Sequence, residues 1–554
     1  MTQNFTESNS APPWQPLAFA VVLIIGVYIG MQTGDSGSSK FVNPASRGVL
    51  NGILDRVEQT YVDPVVRQEL EEIAVEAILE ELDPHSLFLS ADELAELAEP
   101  MEGNFEGIGV EFIIQKDTLM VVAAIPGGPA EKAGVRAGDR ILTVDSVEIS
   151  GPELDNRRVM DLLKGPKNTI VRVGVDRKGG ILEFPLQRDR IPIHSVVCAE
   201  QLDENRGYIK VVRFAQNTAE EFEAAMQRLE QKGVREVIVD LRGNGGGYLN
   251  AVVPMVESFL TKGQLVVYTE GEHVPKRTYK STRDGRWSDW DLAVLVDESS
   301  ASASEIFAGA IQDHDRGPVI GRRTFGKGLV QEEFSISDLG ALRLTVARFY
   351  TPTGRAIQKP YGEGVDYSDD YFNRYESGEL FSLDSIEAVD SLVYFTPAGK
   401  MVQGSGGITP DVFVPLDTIR WSSFLSELSW SGVLRDAAFS FVDAYRTEAM
   451  QWKGEVETSA IWKWASEQSE NAGWEHLLAE AAASGILPGE LKQEEIAELK
   501  RRFAGQVIRN MSGESAYYHY LTRHDKEVAE GVKWLDQKER MAVVEGRLTL
   551  LGTE

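Results

Sequence analysis

Between residues 191 and 415 short apolar runs alternate with stretches of helical period, and no other feature restricts the chain as strongly. EVIVDL (236–241) and AVLVDE (293–298) read as strands, and TAEEFEAAMQRLEQKG (218–233) reads as a helix. Such alternation points to a layered α/β domain. A chain of 554 residues is too long for one ordinary domain, so three or four are expected. With 42% hydrophobic residues it has ample material for packed cores, which excludes a wholly disordered chain. Acidic residues outnumber basic ones 86 to 56, for a net charge of -30, and this argues against nucleic acid as a partner, since phosphate needs a basic face. The lone Cys198 excludes an intrachain disulfide and a zinc site built on several thiolates.

Elsewhere the texture changes several times. Residues 14–31 (WQPLAFAVVLIIGVYIGM) lie in a stretch without charge from Glu7 to Asp35, about the minimum that spans a bilayer. Residues 1–13 hold no Lys or Arg, which favours an uncleaved anchor over a signal peptide. Lys40 and Arg47 follow the span, so the positive-inside rule alone does not favour export of what comes after. Helices are expected at 49–61 and 66–82, closed by Asp83-Pro84. From Gly103 come the strand candidates VEFII, LMVVAAI, RILTVDSVEI and TIVRVGVD, with a helix at LDNRRVMDLLKG. Residues 416–554 read as mostly helical and hold seven of the ten tryptophans.

Three segments of the α/β stretch could carry chemistry. DLRGNGGG (240–247) follows the strand EVIVDL, and its glycines allow left-handed angles that turn several N–H groups toward one anion. A dinucleotide fingerprint fails because its third glycine would fall on Tyr248, and a Walker loop fails for want of Gly-Lys-Ser/Thr; a plain strand-to-helix turn is the simpler alternative. SSASASE (299–305) precedes the helix IFAGAIQDH, where a helix N-terminus would favour a developing oxyanion. By itself Ser302-x-x-Glu305 is equally a capping box. TFGKGLVQ (324–331) sets Lys327 between two glycines, which on its own is also compatible with a solvated surface turn. The seven histidines lie outside these segments apart from His314 at the helix end, so a Ser–His–Asp triad has no positive signal.

Together with LDPHS (82–86), YTPTGRAIQ (350–358) and GGITPDV (406–412), these segments resemble, in order, the carboxy-terminal processing peptidases, or tail-specific proteases. The resemblance covers residues 42–415, about two thirds of the chain. It implies Ser302 as nucleophile, Lys327 as general base and Gln331 as the residue that positions the lysine, with an oxyanion hole from N–H groups near Gly246 and of Ala303. An acidic residue beside the dyad in some members falls on Asp313. It also implies a PDZ domain over 103–190, in which Gly107, Ile108, Gly109 and Val110 hold a terminal carboxylate while the tail adds as a strand beside VEFII. A lysine base must be neutral near pH 7, which requires desolvation; Phe325, Leu329 and Val330 are its expected sources.

Two distances qualify these roles. On a continuous helix Asp313 would lie about 16 Å from Ser302 and act only as support. On a regular strand Lys327 and Gln331 would be about 13 Å apart, so a bend at Gly328 is required. Residues 361–403 form an acidic, aromatic insertion, either a surface excursion or a substrate-side flap, and Ile496, Leu499, Phe503 and Val507 suggest a helical docking surface for the core, a second subunit or an adaptor.

The expected architecture is therefore a multidomain α/β chain: tail and transmembrane anchor 1–35, helical region 36–102, PDZ domain 103–190, crotonase/Clp-like layered protease core 191–415 and helical region 416–554. The expected activity is that of a serine endopeptidase in the bacterial inner membrane, facing the periplasm, acting on proteins with free apolar C-termini and requiring no metal or cofactor. A PDZ scaffold with a silent core is disfavoured because Ser302, Lys327 and Gln331 are all present. A cytosolic acyl-transfer enzyme would leave the PDZ segment without a use.

Overall fold

The computed structural model describes residues 48–551 apart from 337–339, 363–364, 366, 368, 387–391, 418–422 and 447–457. The expected anchor lies outside the described residues; among those described, no helix is long and apolar enough to cross a membrane. Residues up to Ala77 and residues from Ile78 onward form two units. In the first, Arg67 pairs with Asp55 at 2.6 Å, Glu58 at 3.3 Å and Glu71 at 2.7 Å, tying the helix Val49–Thr60 to the one that begins at Arg67.

In the second unit a sheet runs in the order Val110–Gln115, Thr118–Ala124, Arg140–Val144, Ile170–Arg177, Gly180–Gln187, all antiparallel. Its first two strands are joined through Lys116 and Asp117 at φ 50° and 57°, the backbone a two-residue hairpin requires. The helix Asn156–Leu163 is capped by Asp155, whose side chain accepts the Arg158 N–H at 2.7 Å. Gly180–Gln187 was not anticipated; Pro185 weakens the strand signal, and the strand's edge position tolerates it.

The central sheet of the core has the order Val196–Gln201, Arg206–Val211, Glu236–Asp240, Asp291–Val296, Val319–Gly321, Val412–Phe413. Its first pair is antiparallel and the rest are parallel. Side chains alternate across it. Val237, Val239, Val294 and Val296 pack with the helices Thr218–Gln231, Leu249–Glu257 and Ala303–Asp313. Ile238, Ala293 and Leu295 face the other way, onto Val528, Trp534 and Leu535 of the helix Lys526–Asp536. Strands covered on both faces read as unbroken apolar runs, which explains EVIVDL and AVLVDE. A second, antiparallel sheet is built on Gly340–Tyr350, which pairs with Leu87–Ser90, Leu265–Glu270 and Leu329–Ile336; Arg277–Lys280 completes it.

Three of the four apolar positions expected to form a docking face are occupied within the chain itself. In the helix Gln493–Ser512, Leu499, Phe503 and Val507 are fully covered, Phe503 and Val507 packing with Phe441, Trp462 and Leu477 of neighbouring helices. A hairpin, Met541–Val544 with Arg547–Leu550, departs from the helical expectation; Glu545 at φ 50° takes a turn position whose usual residues, Asn or Asp, would have signalled it. The PDZ-like sheet docks on the same region. Ile113 and Met120 enclose Phe439, Gln115 Nε2 donates to the Asp436 carbonyl at 3.2 Å, and Arg140 pairs with Asp443 at 3.2 Å.

Candidate active site

Parallel strands bring their C-terminal ends to one edge of the sheet, so the loops after Asp240 and Val296 meet there. Asn244, fully buried, joins them: its carbonyl accepts the Ala301 N–H at 3.0 Å and the Ser304 hydroxyl at 2.8 Å, and its Nδ2 donates to the Val211 carbonyl at 3.0 Å. Beyond the junction Ser302 sits at φ 54°, ψ -111°, at the head of the helix Ala303–Asp313. A non-glycine residue held at positive φ costs of order 1–3 kcal/mol and persists only where its surroundings over-determine it.

The carboxylate of Glu305, buried and with its pKa pushed up by desolvation, does much of that holding. Its Oε2 accepts the N–H of Ser302 and the N–H of Lys327, each at 2.8 Å. Its Oε1 accepts the Thr324 hydroxyl at 2.5 Å and the Gly326 N–H at 2.8 Å. One side chain thus ties the backbone of the expected nucleophile to the backbone of the expected base. The sequence disclosed Glu305 only as half of a capping box.

Lys327 precedes the strand Leu329–Ile336, and Gly328 lies between them, its N–H held by Gln358 Oε1 at 2.8 Å. Pairing with Gly340–Tyr350 shifts register between Val330 and Gln331. The irregularity lies two residues past Gly328, where the bend was expected, and Lys327 Nζ donates to Gln331 Oε1 at 3.2 Å. Among the described residues no hydrogen bond links Nζ to Ser302 Oγ; such bonds often tighten only when substrate binds. Burial lowers the Lys327 pKa, Arg343 adds to that effect, and Asp83 and Glu305 oppose it.

Of the expected oxyanion donors, the Gly246 N–H donates to Asn244 Oδ1 at 2.9 Å. Gly246 also leaves room: at φ +100° it lies so close to the expected nucleophile that a Cβ would stand 2.7 Å from Ser302 Cβ and 2.9 Å from the Ala303 nitrogen. Ala303 opens the helix, where an N–H has no intrahelical carbonyl. Asp313 ends the same helix and turns away: it pairs with Arg355 at 2.7 Å, both side chains fully buried, and accepts the Thr353 N–H and hydroxyl at 3.0 and 2.7 Å. It anchors YTPTGRAIQ and does not touch Ser302.

His85, in the LDPHS motif but given no role there, also arrives here. Asp83 accepts the N–H groups of His85 and Ser86 at 2.9 and 3.0 Å and the Thr345 hydroxyl at 3.1 Å, which folds LDPHS onto the second sheet. The His85 carbonyl then accepts Gln331 Nε2 at 2.5 Å. Desolvation and the nearby Lys327 lower the His85 pKa to about 4. The insertion is folded against the same turn: Arg374 donates to the carbonyls of Arg323 and Thr324, at 2.5 and 3.2 Å, and pairs with Glu379 at 2.7 Å.

The PDZ-like sheet carries the other recognition feature. Gly109 at φ +75° lets the loop 107–110 pass beneath Ile191 and Gly128. Beside it a cavity of ≈ 40 Å³ is lined by Phe105, Ile108, Val110, Phe112, Met160 and Leu163, with Lys164 at its rim. Val110–Gln115 is the edge strand, where an added strand finds unpaired backbone groups.

An α/β core with a serine at a strained strand-to-helix turn, joined to a PDZ domain, defines a PDZ-bearing serine peptidase. Residues 205–367 match peptidase family S41 and residues 120–177 match the PDZ domain family. The chain is 35% identical over 315 residues to a carboxy-terminal-processing protease of Bartonella bacilliformis, covering 55% of this chain and 71% of that one. It is 31% identical over 333 residues to the carboxy-terminal processing protease CtpA of Bacillus subtilis, covering 60% and 69%. A photosystem II D1 C-terminal processing protease of known structure is 28% identical, with 66% of this chain and 86% of that chain covered and a TM-score of 0.33. This chain belongs to the carboxy-terminal processing proteases of family S41 and is a serine-type peptidase with a PDZ domain.

Proposed function

We propose that the chain is a membrane-anchored endopeptidase of the bacterial inner membrane, facing the periplasm, which reads free apolar C-termini through its PDZ domain and cleaves by a Ser302–Lys327 dyad. The observation that carries the dyad is the Glu305 carboxylate, which accepts the Ser302 and Lys327 N–H groups through one oxygen. Neutral Lys327 takes the Ser302 proton as Oγ attacks the peptide carbonyl. The tetrahedral intermediate collapses to the acyl-enzyme, the ammonium returns its proton to the leaving amine, and water, deprotonated by Lys327, releases the acyl group. The Ala303 N–H is the donor best placed by chain position for the oxyanion. Anchoring through residues 14–31 rests on their length and freedom from charge.

The test is cleavage of an unfolded protein with an apolar tail by the parent, Ser302→Ala and Lys327→Ala, followed by mass spectrometry. Loss of cleavage in both variants, with slower cleavage of an amidated tail, is the expected outcome; retained activity in either variant refutes the dyad. Fractionation and protease accessibility of the full chain in a Gram-negative host test the anchor and its orientation. Recovery of the intact chain in the soluble fraction would contradict them.

A further inference from the structure

Tyr367, within the insertion, has a set of contacts that the cleavage mechanism leaves unused. Its hydroxyl lies 2.8 Å from His85 Nε2 and 3.5 Å from Gln358 Nε2. Its ring meets Phe325 edge-on, centroids 5.9 Å apart, and His85 at 5.3 Å. Lys359, paired with Asp370 at 3.1 Å, lies over both rings, 4.0 Å from the centroid of Tyr367 and 3.9 Å from that of Phe325. Each of these partners is bound to the turn that carries Lys327. Gln358 holds the Gly328 N–H at 2.8 Å, the Lys359 N–H donates to the Gly326 carbonyl at 2.9 Å, and the His85 carbonyl holds Gln331.

We infer that Tyr367 is a positioning residue for Lys327: its ring closes the apolar wall beside the lysine with Phe325, and its hydroxyl fixes His85 so that the His85 carbonyl keeps Gln331 facing Nζ. The inference rests on the reading of Lys327 as base. The chain of contacts runs Tyr367 Oη, His85 Nε2, His85 carbonyl, Gln331 Nε2, Gln331 Oε1, Lys327 Nζ. With its pKa near 4 the imidazole is neutral at working pH, and with its proton on Nδ1 it accepts the hydrogen bond of the phenol O–H at Nε2. Burial raises the Tyr367 hydroxyl to about 12, so it stays a donor.

The groups facing Lys327 are Asp83 and His85 from the LDPHS turn, Glu305 from the helix and Arg343 from the second sheet. Lys359 and Asp370 lie behind Tyr367. Water admitted where Tyr367 stood would restore part of the lost solvation and raise the Lys327 pKa, leaving less neutral base at pH 7.

The experiment measures acylation of Ser302 in the full-length chain by a serine-directed β-lactone, whose ring opens as its acyl group passes to Oγ, as a rate against pH, for the parent, Tyr367→Ala, Tyr367→Phe and Lys327→Ala. Tyr367→Ala is expected to acylate about tenfold more slowly at pH 7, with its rising limb moved to higher pH and its rate approaching that of the parent in alkali. Tyr367→Phe keeps the ring and is expected to keep the limb, with a rate lowered about threefold at every pH. A Tyr367→Ala limb that coincides with the parent's, even if the rate is uniformly lower, overturns the inference, since loosened structure alone does not move a base's titration. Should Tyr367→Ala fail to fold, Tyr367→Phe decides: a parent-like rate overturns the inference, and the threefold fall supports it. Failure of the dyad reading is separable, because Lys327→Ala would then acylate with the parent's rate and limb.

Discussion

Ser302 holds a backbone conformation that its own residue type disfavours, and the contacts that hold it there come from both near and far along the chain: Glu305, three residues on, accepts its N–H, Asn244 acts through the preceding residue, and Gly246 through the absence of a side chain. Removing the carboxylate should therefore act at two places. Glu305→Ala leaves the Ser302, Gly326 and Lys327 N–H groups and the Thr324 hydroxyl without their acceptor. It is expected to lower stability by about 2–4 kcal/mol in urea titrations and to abolish Ser302 acylation. The pH response follows from Lys327. Because burial lowers its pKa and the neutral form is the base in the proposed dyad, acylation should rise with pH through a single ionisation lying below the ordinary lysine range. Measured rates that fall with rising pH across neutrality would contradict a lysine base. At this scale Ser302, Lys327 and Gln331 were legible because each lies in a short motif of the family. Asn244, Glu305, His85 and Tyr367 were not, since what they do depends on partners up to 282 residues away.

At the scale of elements, local signals and neighbours divided the outcome. The continuous helix Ala303–Asp313 carries Ser302 at its head and Asp313 at its foot, so Asp313 supports the helix end and the loop 350–358. Asp313→Asn should leave Arg355 charged and buried without its partner and cost about 3–5 kcal/mol, read by chemical denaturation. Arg355 pulls the Asp313 pKa below the usual carboxylate range against the effect of burial. Its folded value is thus depressed, and the stability it contributes is present above the unfolded pKa and lost as pH falls through the folded one. The parent should accordingly lose more stability than the variant over that acid interval. That the chain must depart from a regular strand between Lys327 and Gln331 was deducible because the reach of a strand is a fixed length, whereas the register shift at Val330/Gln331 depends on pairing with a strand from farther along the chain.

For the molecule as a whole, the C-terminal region is a structural layer of the protease. The helix Lys526–Asp536 covers the face of the central sheet that Ile238 and Leu295 present, and at its start Asp525 and Glu527 pair with Arg242 at 2.9 and 3.3 Å while Glu527 also pairs with Arg322 at 2.9 Å. Arg242 and Arg322 adjoin the glycine loop and the turn leading to Lys327, so this layer braces both. Trp534→Ala should destabilise the protein by about 3–5 kcal/mol, seen as a lower unfolding midpoint in urea, with exposure of the covered sheet face detected by an apolar dye. By itself the sequence determined the α/β character of the core and the PDZ segment, and it pointed to Ser302 and Lys327 as the proposed dyad, because strand and helix periods and short motifs are local and survive without a partner. Only the tertiary structure decided that Glu305 joins two turns, that Gly246 lies against Ser302 with no room for a side chain, and that the insertion and the C-terminal helices close around the core. Those outcomes depend on which distant surfaces meet, and an apolar helix face is written the same way whether it covers its own sheet or another chain.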